Sequence, residues 1–233
     1  MRKLLLCVLL GLLVLPGCAS FKNQPFNAGA NQSLNTIGLL PFGQQEKPNI
    51  VLANLAGENF GLVGALVSEG QRKIATVRFQ RMAEAQDFHP VPETRAAVRH
   101  ALEAAGYRVV DVSAARADDA QFLKTYPAGD GQVEAYLDIY AETVGYLSAS
   151  SRTFRPTVYL SAKLVQANGG QILFADQVQV NAYGKTTGVT IEAPEGYAYD
   201  TQSALLADAP HAVEGIRKAI TLAADGLSER LAK

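Results

Sequence analysis

Residues 133–148 read as one alternating strand: Val133, Ala135, Leu137, Ile139 and Ala141 fall on one face, and Glu134, Tyr136, Asp138, Tyr140 and Glu142 on the other. Successive side chains of a strand point to opposite faces, so this pattern demands a half-buried strand with a polar outer side. Two more β-rich stretches follow at residues 157–167 and 171–183. Asn168-Gly169 stands between them, and an Asn-Gly pair suits a two-residue type I′ turn because both central positions need positive φ. Whatever else the chain does, it must build an antiparallel sheet and cover one side of it.

The cover is legible too. Val98, Ala101, Leu102 and Ala105 recur at helical spacing within residues 92–105, and Gly106 supplies a stop. A β-branched stretch, residues 107–112, comes directly after it. Residues 211–231 close the chain as an amphipathic helix. Its apolar stripe is Val213, Ile216, Ile220, Ala223, Leu227 and Leu231, and its wet side carries Glu214, Arg217, Lys218, Asp225 and Glu229. Residues 36–42 (TIGLLPF) read as a first buried strand, with Pro41 allowed only at an edge or a terminus. Residues 185–210 read as one long loop, of a length that is usually functional or disordered. The expectation is a single α/β domain over residues 36–233: a mixed, mainly antiparallel sheet with packed helices.

The front of the chain belongs to a different category. Arg2 and Lys3 precede 12 unbroken apolar residues, 4–15. That run is too short to span a bilayer in a helix, which needs about 20 residues, but it fits a secretory signal. It ends in Leu15-Pro16-Gly17-Cys18, which resembles the lipobox of bacterial lipoproteins, with Pro16 where a smaller residue is usual. The resemblance implies a signal peptide at residues 1–17 and lipidation of Cys18, the membrane then being engaged through that lipid. Ala19 after the cysteine implies sorting to the outer membrane, with the domain facing the periplasm. The polar, Asn- and Gln-rich residues from Ala19 up to the first strand read as a flexible tether, so residues 18–35 form lipidated cysteine plus tether.

Composition then narrows the function. Cys7 and Cys18 are the only cysteines. The first leaves with the signal and the second is acylated, which removes disulfide, CxxC redox and thiolate–metal chemistry. Loss of Arg2 and Lys3 leaves 19 basic against 22 acidic residues, a net charge of −3, with no basic footprint for nucleic acid. His89, His100 and His211 stand in no ligand spacing, and neither a nucleophile elbow nor a phosphate-binding glycine loop is present. Asp87-Phe88-His89 is the one Asp–His apposition, and Gly129-Asp130-Gly131 reads as a turn. No cofactor or metal is expected, and no catalytic residue is assigned.

Two surfaces remain as candidates. Residues 50–67 (IVLANLAGENFGLVGALV) are apolar with three spaced glycines. Gly57, Gly61, Leu62, Gly64 and Leu66 form a possible interaction surface for an envelope protein, a second copy or the membrane. The alternative is a segment packed into the core. The second candidate is the acidic strand face of Glu134, Asp138 and Glu142 with Tyr136, Tyr140 and Tyr146, which could bind a cation, a sugar or a partner protein or serve a hydrolase of an envelope polymer; the favoured alternative is that a helix simply covers it. Residues i and i+4 of a strand lie about 13 Å apart, outside the roughly 5–10 Å of a glycosidase pair.

Three stretches, Ile37-Gly38-Leu39-Leu40-Pro41-Phe42, Ala104-Ala105-Gly106-Tyr107-Arg108-Val109-Val110 and residues 164–173 (LVQANGGQIL), resemble a group of small α/β lipoproteins. That group contains domains similar to the amino-terminal domain of the Tol–Pal translocation protein, the penicillin-binding-protein activators and the curli secretion channel subunit. The resemblance implies a mixed sheet with helices and a non-enzymatic accessory role. Such a role works through protein contacts.

Overall fold

The alternating stretch is the spine of the molecule. The structure, a computed structural model, describes residues 22–44, 49–52, 74–116, 120–148, 153–182 and 188–233. Strand β5 (Ala135–Ser148) pairs with β6 (Phe154–Gln166), and β6 with β7 (Ile172–Val180), as an antiparallel meander. Along the other edge of β5 run β1 (Thr36–Leu39), β2 (Gly43–Gln44) and β3 (Asn49–Leu52), each parallel to a successive stretch of it. Strands β1, β2 and β3 thus follow β5 one after another. Pro41 falls between the first two, where its missing N–H costs the ladder nothing.

Strand β4 (Arg108–Asp111) adds in parallel outside β1, and β8 (Val189–Ile191) in parallel outside β7. The resulting order is β4-β1-β5-β6-β7-β8. The parallel β1–β4 pair needs a crossover, which includes α1 (74–84) and α2 (Pro90–Ala104). After β8 come the short α3 (Gln202–Ala207) and the long α4 (Ala209–Arg230). The α/β class expected from the sequence is the class observed. The 185–210 loop contains β8 and α3, elements too short to announce themselves by periodicity, and α1 was not anticipated.

Helix α4 lies across β5, β6, β7 and β8 and packs against α2. Its whole expected stripe is buried, against Leu137, Ile139, Leu160, Leu164, Phe174 and Val178 of the sheet. A smaller apolar cluster covers the opposite face: Leu40, Leu123, Val133, Tyr136 and Ala167, beneath the long connection from β4 to β5.

Two local departures alter which side chains go where. In β5, Ala141 pairs with Leu160 but Thr143 pairs with Tyr159, so Glu142 is an extra, bulged residue. One extra residue exchanges the two faces beyond it. Val144 and Tyr146 therefore join Ala135, Leu137, Ile139 and Ala141 on the helix side, and Tyr146 does not share the face of Tyr136 and Tyr140. The second departure is the hairpin. Its strands pair as expected, but the connection is not a two-residue turn. Gln166 N–H donates to Gln171 O at 2.8 Å and Gly170 N–H to Gln166 O at 3.2 Å, closing a loop of residues 167–170. Gly169 (φ 103°) and Gly170 (φ 68°) take the positive angles. A β-branched residue is an outlier there, so Gly169→Val and Gly170→Val should each cost about 1 kcal/mol or more. An unchanged melting temperature in both variants would contradict this loop geometry.

Residues 22–35, the described part of the expected tether, are docked on the domain. Gln24 and Ala175 exchange backbone hydrogen bonds at 2.7 and 2.8 Å, an antiparallel bridge on the outer edge of β7. The Gln24 side chain donates to Ile172 O at 2.6 Å, Asn23 Nδ2 to Asp176 Oδ1 at 3.0 Å, and Phe26 packs against the main core. Backbone pairing holds a polar segment that has no apolar pattern to reveal it.

Candidate functional site

The three carboxylates expected to form one wet row have separate structural partners. Glu134 is exposed, and its Oε2 accepts the N–H groups of Asn35 at 2.6 Å and Thr36 at 2.7 Å, pinning the start of β1. Glu142, the bulge residue, accepts from Ser161 Oγ at 3.0 Å and Gln121 Nε2 at 3.3 Å. Asp138 is not on an open face: its exposure is 0 %. It accepts from the Arg116 guanidinium, from Leu123 N–H at 2.8 Å and from the Tyr126 hydroxyl at 3.1 Å. Burial, with the Asp138 charge beside it, pushes the Tyr126 hydroxyl well above the usual phenol range.

Arg116 also donates to Pro41 O at 2.8 Å and Gln121 O at 2.9 Å. One largely buried cation thus ties the β4–β5 connection to the end of β1 and to the spine strand. Alternation alone placed Asp138 on the correct face; nothing in the aperiodic residues 112–134 announced what would cover it. A related pair secures the helix side. Arg95 donates to Leu40 O at 2.6 Å and Leu39 O at 2.9 Å, and both Arg95 and Arg99 reach Asp111. The Arg95 hydrogen bond, with Arg99 adding to it, holds the Asp111 carboxyl below the usual carboxylate range.

A group of aromatic and titratable side chains sits around the N-terminal part of α4. Tyr199 is positioned by two backbone hydrogen bonds to Phe154, at 2.7 and 2.9 Å. Its hydroxyl lies 3.1 Å from His211 Nδ1 and 3.3 Å from Asp208 Oδ2. Tyr197 stacks on the His211 ring with centroids 4.5 Å apart and donates to Glu214 Oε1 at 2.8 Å. Lys218 stands over the Tyr197 ring at 5.9 Å. Beneath them, Tyr146 meets Phe79 and Tyr199 edge to face and donates to Ala212 O at 3.2 Å.

Gly215 makes this approach feasible, because a Cβ there would come within 2.7 Å of the Tyr146 hydroxyl and 2.8 Å of Tyr197 Cβ. Burial, followed by the Asp208 charge, pushes the Tyr199 hydroxyl up to about 12. The hydrogen bond to Glu214 raises Tyr197, and burial raises Tyr146. All three phenols are therefore neutral donors at physiological pH. The Tyr197 and Tyr199 rings are themselves buried, whereas the side chains of Asp208, His211, Glu214 and Lys218 remain about half exposed. The accessible part of this group is therefore its polar rim, with the aromatic rings held beneath it. Sequence reading placed His211 at the helix start but had no signal for Tyr197 and Tyr199, which reach it from the preceding loop.

A shallow cleft of about 270 Å³ lies where residues 31–34 meet the β6–β7 loop, lined by Asn31, Ser33, Leu34, Glu134, Gln166 and Asn168 among others. His89 Nε2 lies 3.0 Å from Asp87 Oδ1 as an exposed surface pair, and His100 is exposed on α2. Gly129-Asp130-Gly131 is a turn closed by Asp130 Oδ1 accepting Gln132 N–H at 2.9 Å. Cys18 and the set Gly57, Gly61, Leu62, Gly64 and Leu66 lie outside the described residues. Of the apolar stretch 50–67, the described part is in β3. Among the described residues, no helix is long and apolar enough to cross a membrane.

No family model matches the chain, and no curated protein matches it. Solved structures of low similarity exist. A Xanthomonas campestris protein of the family DUF330 is 10% identical, with 90% of this chain and 85% of that one covered, at a TM-score of 0.41. A PelC dodecamer from Paraburkholderia phytofirmans is 12% identical, with 92% and 98% covered, at 0.34. A lipoprotein from Neisseria meningitidis is 13% identical, with 62% and 81% covered, at 0.22. At these scores the functional reading rests on the chain's own residues.

Proposed function

We propose that this chain is a lipoprotein of the bacterial cell envelope. Lipid on Cys18 holds it at the outer membrane, and it acts without catalysis, as an accessory or binding protein, through contacts with an envelope protein or a second copy of itself. The observation that carries this reading is the charged start, the 12-residue apolar run and the Leu15-Pro16-Gly17-Cys18 stop. The structure supports it by assigning Glu134, Asp138 and Glu142 to structural hydrogen bonds. It also leaves a polar rim accessible around His211.

The anchor is tested by growing cells with a fatty-acid probe. The wild-type chain should take up the label and fractionate with the outer membrane. Cys18→Ala should lose essentially all label and persist as precursor or unanchored protein. Label retained by the variant would refute the anchor, and recovery in the inner membrane would refute the sorting alone.

A further inference from the structure

We propose that the β7–β8 edge of the sheet is the surface this domain lays against the lipid headgroups, and that the β4 edge with α2 faces away. The inference rests on lipidation at Cys18 and goes beyond it, because the anchor alone does not orient the domain. The deciding observation is the strap. Asn23 and Gln24 are bonded to β7 through Asp176, Ala175 and Ile172, so the chain is already held on the domain by residue 23. An extended chain advances at most about 3.6 Å per residue, which puts Cys18 within about 14 Å of Lys22.

The direction of the strap sharpens this. Gln24 pairs antiparallel to β7 at Ala175, and β8 pairs with the same edge from Val178 onward. Going backward from Gln24, the chain heads toward the part of the edge where β8 begins. The lipid attachment point is thus confined near the junction of strap and β8. Strand β4 lies four strand spacings from β7, about 19 Å across the sheet. The near edge also carries groups that suit a headgroup layer: exposed Lys22, Arg230 beside Asp176, and Ile172 with 37% of its surface exposed.

The mature lipidated protein has no other thiol, so an introduced cysteine is a unique labelling site. Thr190→Cys and Glu192→Cys place a fluorophore on the near edge, and Ser113→Cys and His100→Cys place it on the far side; all four residues are exposed. The acylated protein is reconstituted in phosphatidylethanolamine–phosphatidylglycerol vesicles that carry a nitroxide on the headgroups, after mass spectrometry has confirmed the acyl chains. Quenching at positions 190 and 192 should exceed that at 113 and 100 by about threefold, given the separations above. A ten-residue Gly-Ser insertion between Ser20 and Phe21 should erase the contrast.

Equal quenching at all four sites, or stronger quenching at 113 and 100, overturns the orientation and leaves the anchor standing. Near-edge labels shielded from both the headgroup nitroxide and aqueous iodide mark a protein occupant, and overturn the lipid assignment. Absence of acyl chains overturns the anchor itself, and the orientation with it.

Discussion

Arg116→Ala is expected to destabilise the domain by about 3–5 kcal/mol, the loss characteristic of removing one partner of a buried ion pair. Asp138 has no exposed surface, and the Arg116 guanidinium is paired with it. Taking away the guanidinium leaves a carboxylate held by one backbone N–H and one phenol, too little to replace hydration. It also frees the carbonyls of Pro41, Ala120 and Gln121, so the β4–β5 connection should loosen from the sheet. Arg116→Lys should recover only part of the loss, since a single ammonium cannot reproduce the fork that meets carbonyls and carboxylate together. Urea denaturation followed by circular dichroism measures both variants. A loss below about 1 kcal/mol for Arg116→Ala would mean that water reaches Asp138 and that the pair is of the exposed kind.

Tyr146→Ala should cost about 3–5 kcal/mol, as for other large aromatic truncations in a core. Tyr146→Phe should cost only about 1 kcal/mol, the net worth of one hydrogen bond. The contrast separates the ring, wedged against Phe79 and Tyr199 with 0 % exposure, from its bond to Ala212 O. The same pair of variants tests the bulge at Glu142. Without that extra residue, Tyr146 would stand on the face of Tyr136 and Tyr140 and not under the helices. Near-equal melting temperatures for the Ala and Phe variants would mean that the ring is not buried under the helices.

That bulge shows where reading along the chain succeeds and where it stops. Periodicity located β5, β6, β7, α2 and α4, because each element's buried stripe is a local property of a period-2 or period-3.6 pattern. Even the bulge left a trace, as the apolar parity passes from Ala141 to Val144. That trace is weak, since one polar residue out of phase also occurs in an unbroken strand. The hairpin was legible for the same local reason, while its loop of residues 167–170 was not. Asn-Gly and Gly-Gly are both satisfied by positive φ, and the register of the flanking strands chose between them.

By itself the sequence determined the α/β class and the buried faces of α2, of α4 and of β5 up to its bulge, while the lipid-tethered address remains what we propose from Leu15 to Cys18. Only the tertiary structure decided that β1, β2 and β3 share one strand as their neighbour, that Arg116 closes over Asp138, that Tyr197 and Tyr199 meet His211, and that Gln24 straps the amino-terminal segment to β7. The physical reason is the same for all four. These contacts join polar or backbone groups from distant parts of the chain, and a hydrogen bond between groups far apart in sequence leaves no period along it. Apolar burial does, because each element must carry its own stripe.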